Sequence, residues 1–313
     1  MRMMWGGRLC ARIVVCLILV TSGHASAAET TAPTLLARGE YLTRAAGCAV
    51  CHTDADRHGA PFAGGRALHT PFGTFYSPNI TPDKQTGIGN WSEADFQRAL
   101  HDGKRPDGSN LYPVFPYTSY TQLHAADVHA MWAYLRSIKP VQQANRTDEL
   151  KWYAPPRFMV WFWKKLYFHP GRFVEDPQRP ASWNRGAYLV NAVAHCAECH
   201  TPRNLLGAPI TSLRFAGADV AAEDFVAPNI TPAPRTGIGD WSTGDLVQYL
   251  QSGLAPDGDT AGSVMAEFID DGLSHLTQSD LQAIAEYIRS LPPIEHEIQK
   301  KKKTAPHKKP EWD

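Results

Sequence analysis

Cys48-Ala49-Val50-Cys51-His52 and Cys196-Ala197-Glu198-Cys199-His200 are the two stretches that decide how this chain is read. Each sets two thiols three residues apart, one helical turn, with an imidazole directly after the second. Two thiols so placed can add across the two vinyl groups of one haem, and the adjacent histidine can then donate a ring nitrogen to its iron. A zinc half-site and a redox disulfide are the competing readings. Zinc would leave both histidines sharing a site. A thioredoxin-like pair should follow a strand in a βαβ unit, and no such pattern precedes either copy. The motifs therefore predict two covalently bound c-type haems. Cys48, Cys51, Cys196 and Cys199 are the attachment points, and His52 and His200 the proximal iron ligands.

The surrounding sequence is also written twice. Arg38-Gly39-Glu40-Tyr41-Leu42 recurs as Arg185-Gly186-Ala187-Tyr188-Leu189, and Pro78-Asn79-Ile80-Thr81-Pro82 as Pro228-Asn229-Ile230-Thr231-Pro232. Thr86-Gly87-Ile88-Gly89 returns as Thr236-Gly237-Ile238-Gly239, and Pro106-Asp107-Gly108 as Pro256-Asp257-Gly258. So long a repeat means duplicated domains, not a solenoid. Each copy carries one helical plan. A first helix leads into the motif with Tyr41 and Leu42, or Tyr188 and Leu189, facing inward. A middle helix opens at Ser92 or Ser242, where Asp95 or Asp245 completes a capping box. A last helix covers about 126–138 or 278–291. Val128, Met131, Trp132 and Leu135 recur at helical spacing, and Pro140 or Pro292 closes the element. The stretches between are rich in Gly, Pro and Asn without strand alternation. The expected fold is all-α: two tandem domains with long loops.

The chain has 313 residues, 43% of them hydrophobic, enough for two small cores. Arg2, Arg8 and Arg12 precede an apolar run from Ile13 to Val20, and Ala25-Ser26-Ala27 follows. Residues 1–27 thus read as a secretory signal peptide, the run being far below the ~20 residues that span a bilayer. The implied destination is the periplasm. Cys10 and Cys16 would leave with the signal, so only the four motif cysteines remain. Domain one is expected over 35–145, a linker over 146–184, domain two over 185–297 and a disordered Lys-rich tail over 298–313. The linker carries Trp152, Trp161, Phe162, Trp163, Tyr167 and Phe168 among prolines. Such aromatic density could touch a membrane interface, but the expected reading is that it packs into the groove between the domains. Lys and Arg number 31, as do Asp and Glu, but six Lys fall in the tail and leave the body acidic. That profile excludes a nucleic-acid binder.

The sixth iron ligand separates the two copies. Met265, eight residues after Asp257, is the candidate for the second haem, and Ala261, Gly262 and Ser263 before it read as a loop. The matching residue of the first copy, eight after Asp107, is Phe115, which cannot bind iron. The sixth ligand of haem one is therefore unassigned, with His58, His69, His101, His124 and His129 available. A thioether favours ferrous iron, so haem one is expected at the lower potential.

The repeated segments, with Trp183-Asn184-Arg185-Gly186-Ala187-Tyr188-Leu189 and Cys199-His200-Thr201-Pro202-Arg203-Asn204, resemble the multihaem cytochrome c subunits of periplasmic alcohol, sugar and gluconate dehydrogenases. The match runs from about Leu35 to Pro293. It implies a periplasmic dehydrogenase as electron donor and a quinone, cytochrome or terminal oxidase as acceptor, with peripheral membrane contact an option. Two features depart from the pattern. Such subunits commonly carry three CxxCH motifs and a membrane-associating C-terminus, whereas this chain has two motifs and a Lys-rich tail. Phe115 also stands where the family often has its axial Met. The expected role is electron transfer to the respiratory chain, with no catalytic acid, base or nucleophile singled out. The alternative is a dihaem enzyme of peroxidase or thiosulfate dehydrogenase type, acting at an open first haem.

Overall fold

The computed structural model describes residues 34–220 and 225–298; the expected signal peptide and, beyond Ile298, the expected Lys-rich tail lie outside them. In the first repeat, the Thr34 hydroxyl accepts the Ala37 N–H and opens α1 (Leu35–Ala45). A left-handed Gly47 turns the chain into α2 (Cys48–His52). A hairpin follows, β1 (Ala67–Thr70) and β2 (Gly73–Tyr76), then α3 (Glu93–Asp102), α4 (Tyr117–Tyr120) and α5 (Ala125–Ser137). Strand β3 (Glu149–Leu150) returns to pair with β2, and α6 (Val160–Tyr167) lies in the connection. The second repeat repeats the order with α7 (Ala181–Tyr188), a π turn over Leu189–Val193, and α8 (Ala197–His200). It continues with β4 (Ala218–Val220), β5 (Phe225–Ala227), α9 (Thr243–Ser252), α10 (Ser263–Asp271) and α11 (Gln278–Arg289).

The chain is mostly helical, but the all-α expectation needs correction. Each repeat inserts a short antiparallel hairpin between its CxxCH helix and its Pro-Asn-Ile-Thr-Pro loop, with Ala67 opposite Tyr76 and Ala218 opposite Ala227. Strands of three or four residues are too short for alternation to show in sequence. The linker also differs from expectation. It contributes the third strand of the first sheet and ends inside α7, and half of its ten aromatics face water: Trp152 is 94% exposed and Phe158 73%, whereas Trp163, Tyr167 and Phe168 are half-buried. Among the described residues, no helix is long and apolar enough to cross a membrane.

First and last helices cross closely in both repeats, and glycine makes this possible. A Cβ on Gly39 would lie 2.0 Å from the Ala130 carbonyl oxygen, and one on Gly186 1.9 Å from that of Ala283. Both Ser92 and Ser242 form complete capping boxes with Asp95 and Asp245. Leu42, Val128, Met131 and Leu135 of the first repeat share one buried core with Leu189, Leu246, Leu281 and Ile288 of the second.

Candidate haem-binding sites

Each CxxCH motif occupies a one-turn helix that follows a helix, α1 before α2 and α7 with its π turn before α8. The βαβ setting of a redox motif is therefore missing from both. None of the four cysteines is in a disulfide, and among the described residues no three His, Cys, Asp or Glu side chains converge as a metal cage. Burial pushes the Cys48 thiol up to about 12 and that of Cys196 to about 11.

The two histidines are held alike. His52 Nδ1 lies 2.7 Å from the Pro78 carbonyl, and His200 Nδ1 lies 2.7 Å from that of Pro228. A carbonyl only accepts, so Nδ1 carries the hydrogen and Nε2 keeps its lone pair, the form a metal-binding imidazole takes. Burial lowers both pKa values despite the opposing hydrogen bond, which keeps the rings neutral. The carbonyls are themselves fixed by the repeated loop. Asn79, 2% exposed, accepts from the Thr81 N–H and hydroxyl and donates to the Val141 carbonyl at 2.7 Å. Asn229 does the same with Thr231 and Ile294, again 2.7 Å for the last bond.

The positions expected to supply the sixth ligands are not symmetric. Met265 lies in the first turn of α10, half-buried against the shared core, not in the loop that Ala261, Gly262 and Ser263 led one to expect. Phe115 precedes α4, half-buried, with its ring 5.6 Å from that of Tyr120. Three of the available histidines are engaged locally: His69 with Thr74, His129 with Glu93, and His124 stacked on Tyr188. His58 is exposed on a left-handed residue. His101 is buried, its Nε2 3.1 Å from the Leu123 carbonyl and its Nδ1 without a partner; burial and then Arg172 push it down to about 4.

Sequence reasoning missed how the repeats grip each other. Arg38 pairs with Asp127 of its own repeat, and Asp127 accepts the Tyr188 hydroxyl of the other at 2.5 Å. Reciprocally, Arg185 pairs with Asp280, which accepts the Tyr41 hydroxyl at 2.6 Å. Helix α10 packs on α2, with Phe268 against Gly47, and Arg66 bridges the Val50 carbonyl (2.9 Å) to Glu267. Across the interface, Glu198 accepts from Thr118 (2.7 Å) and Ser119 (2.9 Å) and pairs with Arg203. Burial opposes its charge, but Arg203, the two hydroxyls and His195 prevail and hold its carboxyl below the usual range. The one signal in the sequence was the charge of Glu198 where the first motif has Val50.

The family model for cytochrome c matches residues 36–139 and 184–292. The chain is 43% identical over 284 residues to the fructose dehydrogenase cytochrome subunit of Gluconobacter japonicus, covering 88% of this chain and 58% of that protein. It is 42% identical to a "diheme cytochrome c-type" protein of Cereibacter sphaeroides, over 82% of this chain and 86% of that one. With the gluconate 2-dehydrogenase cytochrome c subunit of Pantoea cypripedii it shares 37% over 89% of this chain and 64% of the relative. The chain thus spans little more than half of the fructose dehydrogenase subunit. It belongs to the cytochrome c family, with covalently bound c-type haems as its cofactors.

Proposed function

We propose that this chain is a periplasmic dihaem electron carrier, taking electrons from a dehydrogenase and passing them to a quinone, cytochrome or terminal oxidase of the respiratory chain. The observation that carries it is the paired CxxCH helices, each with a histidine whose Nδ1 is bound to a fixed backbone carbonyl. Cys48, Cys51, Cys196 and Cys199 hold the two haems, and His52 and His200 offer Nε2 to the irons. Met265 supplies the sixth ligand of the second, while Phe115 withholds a donor from the first. A bound haem supplies a one-electron ferric/ferrous couple. The chain's own work is orientation and exclusion of water. Pro78 and Pro228 set the imidazoles, and the shared core dries the surroundings. The one core shared by the two repeats, and the packing of α10 on α2, support electron exchange between the two sites without a separate docking step. The resemblance to cytochrome subunits of fructose and gluconate dehydrogenases supports a dehydrogenase as donor.

The test is isolation of the tagged holoprotein from its native periplasm, followed by addition of the substrate of any co-purifying dehydrogenase. Reduction of both haems, read in the visible spectrum, is expected. A protein that recovers no dehydrogenase yet turns over peroxide or thiosulfate unaided overturns the carrier reading.

A further inference from the structure

Between Leu150 and Val174 the chain holds nine aromatic residues, five Lys or Arg, and no Asp or Glu. Helix α6 within it is built inside out. Val160 is buried and the Lys164 amine turns inward, donating to the carbonyls of Asp102 (2.6 Å) and Gly103 (2.8 Å). Burial lowers the pKa of that amine to about 8. The outward face instead shows Trp161, Phe162 and Leu166, each more than half exposed, with Lys165 among them. The helix does not stand alone. Trp163 Nε1 donates to the Leu206 carbonyl at 2.9 Å, joining α6 to a loop whose Leu205 is 97% exposed. The next residue of that loop, Gly207, lies against Phe72 of the β1–β2 turn. Tyr153 donates to Pro71 of the same turn at 2.8 Å, which brings Trp152 and Lys151 to this side. Apolar side chains thus crowd one surface drawn from three separate segments.

Contiguous exposed apolar surface marks a contact, and the chemistry of this one selects among contacts. Indole and phenol rings interleaved with Lys and Arg match the boundary of a bilayer. There the rings sit at headgroup level and the cations meet anionic lipid. A peripheral protein binds so when its apolar side chains enter that boundary and its cations stay above it. The acidic balance of the rest of the body makes this cationic strip the side that an anionic membrane would attract. We propose that α6, the 150–158 segment and the 205–206 loop form one surface that docks to an anionic lipid bilayer. This goes beyond electron transfer, and its test uses no redox readout.

The experiment is flotation of the full-length holoprotein with vesicles of phosphatidylglycerol and phosphatidylcholine, beside vesicles of phosphatidylcholine alone. Binding to the anionic vesicles is expected, with quenching of tryptophan fluorescence by brominated acyl chains. The combined variant Trp161→Ser, Phe162→Ser, Leu166→Ser should bind at least about tenfold more weakly. Leu205→Ser with Leu206→Ser should show a smaller loss in the same direction, both variants keeping the wild-type haem spectrum. Removal of residues 299–313 should leave the bromolipid quenching intact. Wild-type protein that stays unbound overturns the proposal. So does undiminished binding by the α6 variant, binding lost with the Lys-rich tail alone, or protection of the patch by a co-purifying protein in the absence of lipid. Failure of the carrier reading would leave vesicle binding in place, so the two are separable.

Discussion

Arg66→Met cuts the bridge between the first CxxCH helix and the helix that carries Met265. The Arg66 side chain is 19% exposed and that of Glu267 40%, so their pairing is screened and worth no more than about 1 kcal/mol. The bond from the guanidinium to the Val50 carbonyl is different. It runs from a charged donor to a residue that is 3% exposed, and such bonds are worth about 1.5–3 kcal/mol. Methionine keeps the aliphatic stem but satisfies neither partner, so the holoprotein should lose about 2–4 kcal/mol in denaturant unfolding. The more telling readout is local. Glu267 is two residues beyond Met265 on α10, so a loosened α10 should weaken the thioether–iron charge-transfer band and lower the potential of haem two. Ligand identity spans about 0.8 V across haem proteins, so even partial loss of Met265 is measurable. Arg66→Lys keeps the charge but not the two-pronged grip, and should fall between. An Arg66→Met protein with unchanged band, potential and unfolding midpoint would refute the claim that repeat one holds the ligand of repeat two.

Redox titration of the wild type should resolve two waves, and Phe115→Met should raise the lower one toward the upper; an unmoved lower wave would show that residue 115 does not face the iron. Asp280 is held below the ordinary carboxylate value because Arg185 and Tyr41 outweigh burial. Its contribution is therefore complete above the unfolded carboxylate pKa and lost as pH falls through the depressed folded value. Asp280→Asn should flatten the acid limb of the stability–pH curve, and an unaltered limb would assign acid unfolding to other groups. Gly39→Ala and Gly186→Ala each drive a methyl into a backbone carbonyl, within 2.0 Å and 1.9 Å. Each should cost at least about 3 kcal/mol in thermal unfolding, whereas a loss below about 1 kcal/mol would mean the crossed helices part freely.

What the sequence revealed about this fold depended on how local each cause was. The capping boxes at Ser92 and Ser242 formed as read because the partners lie three residues apart. The last helices fell within two residues of their expected ends, since apolar spacing and a closing proline act over a few turns. The hairpins escaped because their pairing rests on tight turns and three- or four-residue strands. Met265 was placed in a loop because Ala-Gly-Ser disfavours helix. Ser263 nevertheless takes a positive φ of 53° and begins α10 there. The linker aromatics misled in the opposite sense. Composition says that such side chains tend to be buried, but only the placement of α6 decides which of them are. The reciprocal bonds of Tyr41 and Tyr188 are invisible in sequence, because Arg-Gly-x-Tyr-Leu explains itself fully as the inner face of a first helix.

The duplicated and unduplicated residues divide the work. Those that recur, the thiols, the histidines and the Asn79 and Asn229 loops that fix a carbonyl behind each imidazole, all serve one haem from within one repeat. Two pairs that fail to recur involve the contacts between repeats: Val50 against Glu198, which accepts from Thr118 and Ser119, and Phe115 against Met265, whose helix packs on α2. Each repeat also lends its tyrosine to the aspartate of the other, so neither last helix is complete without its neighbour. In the proposed carrier, a carboxylate or a ligand at the boundary would tune the potential of one iron relative to the other and so act on the step between them. The Arg66 bridge ties the backbone of the first CxxCH helix to the helix that carries Met265, the proposed ligand of the other iron.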